Sequence, residues 1–545
     1  MMAGVDLLRD GQYNIGHICS RQQCDLGNGG RLAFRWVAPD LARTDYTFDD
    51  LEHHSNVYAN ALRSVGFRKG DVLFIHLPKA PELYFSVLGA LKLGVTVSTP
   101  FSRLGEAALA ERMAATAARG ILTKRRVAKP LAGLRGGLPS LEHVIVTDLD
   151  HHQADGVLSA RQLVGEASRE FLADRTDAST PSFIHFTPGP TARARAVVHV
   201  HGAVQHISAT ARDVLQLTPG DTFWCTADHG TVTGTSYGIV GPWSLGVSQV
   251  HFGGGYTPEG WFGILEREQV SVWYTAPTVI RMLMREDPAI FARFDLSRLK
   301  HIFSVGEWLD PEALAWSRRV LGREVYDTYF QTETGGIVIA NRPGLPVRPG
   351  SMGQPVEGIE ACVVDDAGDC VQADAAGHLA LRAGWPSMFV DYRGEPAGYR
   401  KKFRGDRYCT GDAARRDREG YFWFRGRNDD IINTAGHLVG PAEVESALRE
   451  SPEVAECAVV RVPDAVFLEK VAAFVVLKPP CLPSDDLEHD LKARVSRRLS
   501  PVETPQEVRF VVAVPRDQYG RVRRDALRTQ FPELFPPGML PWEPS

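Results

Sequence analysis

Phe183 to His201 reads FIHFTPGPTARARAVVHVH, an arrangement suited to gripping phosphate. A strand-like run enters it, Thr187, Gly189 and Thr191 occupy its centre, Arg193 and Arg195 close it, and the apolar run Ala196-Val197-Val198 leaves it. Loops of this kind hold phosphate oxygens with backbone N–H groups, and permissive glycines let the chain approach closely. Pro188 and Pro190 stand among those donors, and proline has no N–H to give. The segment therefore keeps its positive charge while losing part of its donor geometry.

The elements around such a loop follow from hydrophobic patterning. Val72–Leu77 reads as a buried strand, Glu82–Leu93 as a helix with one apolar face, and His143–Val146 as a short strand. The alternation returns at Val270–Ala276, Thr278–Arg285 and His301–Val305, which predicts a layered α/β architecture with mainly parallel sheets. After about residue 355, Glu360–Val364 and Tyr421–Phe424 read as hairpin strands. A compact α+β pattern follows: a helix start at Pro441–Leu448, strands at Cys457–Val460 and Val471–Leu477, an amphipathic helix at Asp485–Leu499 and a last strand at Val508–Val514. The predicted boundary lies near Arg427-Asn428-Asp429, dividing the chain into residues 1–426 and 427–545.

Composition narrows the function. The 545 residues exceed one hydrophobic core, so two or more domains are expected. A net charge of −5 does not suggest a general nucleic-acid or membrane-surface binder. The 8 cysteines contain no CxxC pair, so neither a zinc site nor a disulfide framework is implied, and a reducing cytosol fits. The N-terminus has no signal-like apolar core, and Leu83–Pro100, interrupted by Lys92 and glycines, reads as a buried helix and strand rather than a membrane span.

Six further segments occur in a recognisable order: Glu82–Phe85, Tyr274–Thr278, Ser304–Glu307, Gln331–Gly335, Tyr408–Asp412 and Gly426–Asp430. With them, the chain resembles the adenylate-forming superfamily from about Tyr46 to Arg524, and within it the shorter bacterial AMP-forming acetyl-CoA synthetases. The resemblance implies a large N-terminal domain with layered sheets and a barrel-like subdomain, a small mobile C-terminal domain, and an active site between them. It implies ATP or AMP, Mg2+ and coenzyme A, with a small carboxylic acid or acyl-adenylate as partner, no nucleic acid and no membrane insertion. A homodimer is compatible with it, and a cytoplasmic location is expected.

Residue by residue, the resemblance assigns Asp412 to the ribose hydroxyls, which a carboxylate can accept together; the plain alternative is a turn Asp bonding its own backbone. Thr332 fits a contact to the AMP phosphate and Glu333 a magnesium ligand, oxygen donors suiting hard cations; the alternative is a capped helix start. Gln331 and Arg427 join the nucleotide set, Gly306 and Glu307 its adenine side, and Asp429 the hinge. Gly436 falls where a side chain would obstruct the thiol channel. Val232, Thr233, Val305 and Phe330 form the expected acyl wall, although Val305 and Phe330 equally suit an ordinary core. Acetate-type enzymes carry Trp where Phe330 stands, and Thr231 also replaces a Trp, so a changed or enlarged acid pocket is expected.

Four departures stand against these matches. The family loop reads T-S-G-S/T-T-G-x-P-K. Pro188 and Pro190 replace hydroxyl residues, Ala192 replaces a glycine and Arg195 the lysine. The C-terminal motif P-K-T-x-S-G-K becomes Pro515-Arg516-Asp517-Gln518-Tyr519-Gly520-Arg521, with Arg521 in place of the catalytic lysine. Arginine presents a planar fork instead of a compact ammonium. Leu438 replaces a phosphate-binding arginine, and Phe467-Leu468 an Arg-Gly pair. The expectation is an acyl-CoA synthetase with an impaired adenylation half-reaction. The alternatives are an enzyme using a preformed adenylate or another activated donor, and a non-catalytic nucleotide- or CoA-binding protein.

Overall fold

Alternation of apolar strands with amphipathic helices builds two large sheets. A computed structural model describes residues 13–153, 156–188, 193–427, 430–516 and 522–534. Gly189, Thr191, Asp429 and Arg521 lie outside the described residues, as do Pro190 and Ala192. The first sheet has nine strands, and the six from Val325–Tyr329 through His301–Val305, Val272–Thr275, Thr222–Cys225 and Ser248–Phe252 to Leu32–Val37 are parallel neighbours. The second has eight strands, with Val72–Ile75 between Thr96–Ser98 and Gly120–Thr123. All four residues of Val72–Ile75 are buried, as expected for a parallel strand covered on both faces. The helix Pro81–Lys92 connects it to Thr96–Ser98 as one βαβ unit.

A five-stranded antiparallel sheet follows, built on the long strand Arg407–Arg416, which pairs with Ala376–Arg382 on one side and Phe422–Arg427 on the other. The last sheet also has five strands and centres on Leu468–Leu477, with Val454–Asp464 antiparallel and Glu507–Phe510 parallel to it. The final strand is shorter than the apolar run Val508–Val514 suggests. It ends at Phe510: Val511 N–H still donates to the Val475 carbonyl at 2.9 Å, but Val512 is 99% exposed.

The small C-terminal unit is docked on the large one. Leu104 and Leu109 share one hydrophobic cluster with Leu491, Val495 and Leu499. Gly105 N–H donates to the Leu499 carbonyl at 2.6 Å. Asn433 Nδ2 donates to the Gly306 carbonyl at 2.8 Å, and Arg281 Nε to the Val466 carbonyl at 2.7 Å.

Candidate functional site

The parallel strands of the first sheet end together, and loops leaving their carboxyl ends line a cavity of about 390 Å³, the position where open α/β sheets take ligands. The loop after Thr222–Cys225 contributes Thr231, Val232 and Thr233. Strand His301–Val305 ends in Val305 and turns at Gly306, whose φ of 95° favours glycine. Strand Val325–Tyr329 delivers Phe330, Gln331 and Thr332. Phe330 stacks edge-on against Tyr237 at 5.5 Å. Val232, Thr233, Val305 and Phe330 thus share one wall, and Thr231 lies beside them.

Asp412 and Arg427 are cross-strand partners in the antiparallel sheet, and their side chains meet at 3.2 Å. The other oxygen of Asp412 accepts from Tyr329 Oη and Gln331 Nε2, both at 2.6 Å. A ribose held on both carboxylate oxygens would therefore displace one of these donors. Gln331 is fixed in turn by Tyr408, whose hydroxyl donates to Oε1 at 2.9 Å. The Thr332 carbonyl faces His199 Nε2 at 2.8 Å, while His199 Nδ1 faces the Ser387 carbonyl at 3.1 Å. Burial lowers the His199 pKa, and a neutral ring donates from only one nitrogen, so one carbonyl contact is made without a proton.

Glu307 lies at the cavity wall, but its carboxylate is engaged. Thr278 Oγ1 donates at 2.7 Å, and Arg281 forms a buried ion pair with it. Burial nevertheless raises its pKa. Beside it, burial pushes the Asp327 carboxyl up to about 8, against the hydrogen bond from Ser304 Oγ at 2.6 Å.

A second cavity of about 410 Å³ adjoins the first, with Thr187, Pro188, Gln331, Arg427 and Leu438 on both walls. Glu333 lines it, and Tyr392 Oη donates to Glu333 Oε1 at 2.6 Å. One buried carboxylate suits Mg2+ carried on a polyphosphate, since that ion takes one or two protein carboxylates and completes its shell elsewhere. Among the described residues, no group of three His, Cys, Asp or Glu side chains forms a metal cluster. Thr187 and Arg195 are register partners across the antiparallel pair Pro181–Thr187 and Arg195–Val200, so the phosphate-loop candidate opens from a hairpin. Arg195 pairs with Glu395 at 3.1 Å and lies 5.0 Å from the Tyr392 ring centre. Arg193 is exposed and lines neither cavity.

The hairpin Ile432–Thr434 to His437–Val439 closes the first cavity from the C-terminal unit. Its two-residue turn has φ of 51° at Ala435 and 77° at Gly436, the backbone of a type I′ turn. A Cβ on Gly436 would stand 3.5 Å from Glu307 Oε1, in the gap between the two units. Leu438 projects from the same hairpin onto both cavities and brings no charge. Tyr329, Tyr392 and Arg281 hold these groups but belong to no motif. Only their contacts across 83, 59 and 26 positions reveal them.

The AMP-binding enzyme family matches residues 23–390, and its C-terminal domain matches residues 443–521. The chain is 38% identical to an acetyl-coenzyme A synthetase of Bacillus subtilis over 485 residues, covering 89% of this chain and 84% of that one. It is 33% identical to the acetyl-coenzyme A synthetase of Salmonella typhimurium, over 95% of this chain and 84% of that one. The crystal structure of a Brucella canis acyl-CoA synthetase superimposes with a TM-score of 0.73 at 32% identity, covering 97% and 96% of the two chains. An anthranilate CoA ligase in complex with anthranoyl-AMP superimposes at 0.71 with 28% identity, covering 95% and 97%.

Proposed function

The chain belongs to the AMP-binding enzyme family, and from that premise we propose that it is an AMP-forming acid–CoA ligase for a small carboxylic acid, with adenylation as its weaker half-reaction. The carrying observation is the single cavity in which Thr332, Asp412 and Arg427 meet the Val232, Thr233, Val305 and Phe330 wall, closed by Gly436. ATP, Mg2+ and coenzyme A are the implied reactants and cofactor.

In this reading, Asp412 and Arg427 orient the nucleotide ribose and Thr332 hydrogen-bonds the α-phosphate. The acid lies against Phe330, its carboxylate oxygen attacks the α-phosphorus, and pyrophosphate leaves. Glu333 would hold Mg2+, which neutralises charge on the phosphates. The CoA thiol then enters past Gly436. Its sulfur bonds the acyl carbon, AMP leaves with the bonding electrons, and the thiol proton passes to solvent. Fixed groups at these positions lower the barrier by orientation and charge stabilisation.

The weakness of the first half rests on the phosphate side. Arg195 is paired with Glu395, Leu438 is uncharged and Pro188 offers no N–H. Each lost contact typically costs about 1–4 kcal/mol in binding or barrier. The same observations favour a second reading, in which the enzyme takes a preformed acyl-adenylate. ATP–pyrophosphate exchange with a panel of short acids, run beside CoA-ester formation from preformed acyl-AMP, tests both. Exchange slower than thioester formation supports the ligase with weak adenylation. No exchange with intact thioester formation supports the second reading, and failure of both removes the catalytic role.

A further inference from the structure

The second cavity is lined by four cations, and three are already committed to carboxylates. Arg195 pairs with Glu395, Arg427 with Asp412, and Arg524 with Asp430 at 2.8 Å and Glu445 at 2.7 Å. The fourth is Lys402, which has no acidic partner among the described residues. Its ammonium lies 6.0 Å from the centre of the Tyr408 ring, a distance at which an aromatic face still attracts a cation. Tyr408 is fully buried, and its hydroxyl is held by Gln331, so this platform is fixed relative to the Asp412 cluster. The Lys402 backbone is fixed as well: its N–H donates to the Tyr399 carbonyl at 3.0 Å, and its carbonyl accepts from Cys409 N–H at 2.7 Å.

An uncommitted ammonium, half-buried on the wall of a cavity that also presents Glu333, fits a polyanion carrying a divalent cation. A compact ammonium with three rotatable donors can meet phosphate oxygens without a preformed loop. We propose that Lys402 binds the phosphate oxygens beyond the α-phosphate, so that this chain's grip on a polyphosphate rests on a residue of the turn before strand Phe403–Arg404 rather than on the altered loop after Thr187. The inference rests on the ligase reading and adds a binding residue to it.

The test is equilibrium titration of the full chain with MgATP, Mg-pyrophosphate and AMP, for wild type, Lys402→Met, Lys402→Arg and the exposed neighbour control Lys401→Met. Lys402→Met is expected to weaken MgATP and Mg-pyrophosphate about tenfold or more, as loss of a charge-assisted contact does. AMP affinity should stay within about twofold, which also certifies the fold, and Lys402→Arg, which keeps the charge in a different shape, should recover part of the loss. Lys401→Met should change none of the three. Equal effects on ATP and AMP, no effect on either, or a wild type that binds AMP but no pyrophosphate would overturn the proposal. A wild type that binds MgATP through Lys402 yet makes no acyl-adenylate from any short acid leaves the contact standing and removes the ligase reading alone.

Discussion

Arg195 and Glu395 meet at 3.1 Å, and the pairing neutralises the cation that replaces the lysine of the family loop. Arg195 is 16% exposed and Glu395 42%, so the pair is partly screened and worth about 1 kcal/mol or less. Glu395→Gln should therefore return positive potential to the phosphate cavity. The expected result is a KM for ATP lowered about threefold to fivefold in pyrophosphate exchange, with thioester formation from preformed acyl-AMP unchanged. An unchanged KM would show that this ion pair does not limit phosphate binding.

Phe330 lines the cavity and packs edge-on against Tyr237, on the wall the ligase reading gives to the acid. Phe330→Trp adds ring volume to that wall, and one methylene of acid chain is worth about 1–3 kcal/mol in such a pocket. The variant should lose about tenfold or more in kcat/KM for a three- or four-carbon acid relative to acetate. Competition assays between acids read this directly. A uniform loss across all acids would place Phe330 in the core rather than at the substrate.

Much of this was legible in the chain. Strand His301–Val305, the Pro81–Lys92 helix and the Asp485–Arg498 helix follow from periodicity, because each buries a regular stripe or a continuous apolar run. The gathering of Thr332, Asp412, Arg427 and Gly436 around one cavity matches the motif order. What the chain could not show was commitment. Glu307 reads only as part of the adenine-side segment, yet its carboxylate is occupied by Arg281 and Thr278, and Asp412 already receives Tyr329 and Gln331. Lys402 carries no motif, and the local hairpin that follows it gives no sign in the sequence that it shares a cavity with Glu333 and Arg195.

Arg281 joins the two units through the buried Glu307 carboxylate and the Val466 carbonyl. Arg281→Met would leave Glu307 charged without its cation, and breaking a buried pair in this way typically costs about 3–5 kcal/mol. Denaturant unfolding should show the free energy of unfolding lowered by that order, with the midpoint moving down and m unchanged. The double variant Arg281→Met/Glu307→Gln should recover part of the loss, because the fully buried Glu307 charge is then no longer left unpaired, while the more exposed Asp310 still loses its contact with Arg281 at 3.4 Å. Equal stability of single and double variants would mean that the Val466 contact, not the ion pair, carries the effect.

Asp327 gives a pH signature with a definite sign. Burial pushes its carboxyl up to about 8, and the nearby Glu307 charge acts in the same direction. The Ser304 hydroxyl, the Thr328 N–H and Arg281 only partly oppose this. In the unfolded chain an aspartate titrates near ~3.9. Between these two values the folded protein holds a proton that the unfolded chain has released. Stability is therefore greatest below the unfolded value, falls as pH rises toward the folded one, and is flat above it, with a slope of at most about 1.4 kcal/mol per pH unit. Asp327→Asn keeps an acceptor for Ser304 and removes the titration. Its stability relative to wild type should rise steadily from pH 5 to pH 8, read as the difference in unfolding free energy at about three intermediate pH values. A difference that stays constant over that range would mean that Asp327 is already ionised in the folded protein, and the cavity wall beside Glu307 would then carry two negative charges rather than one.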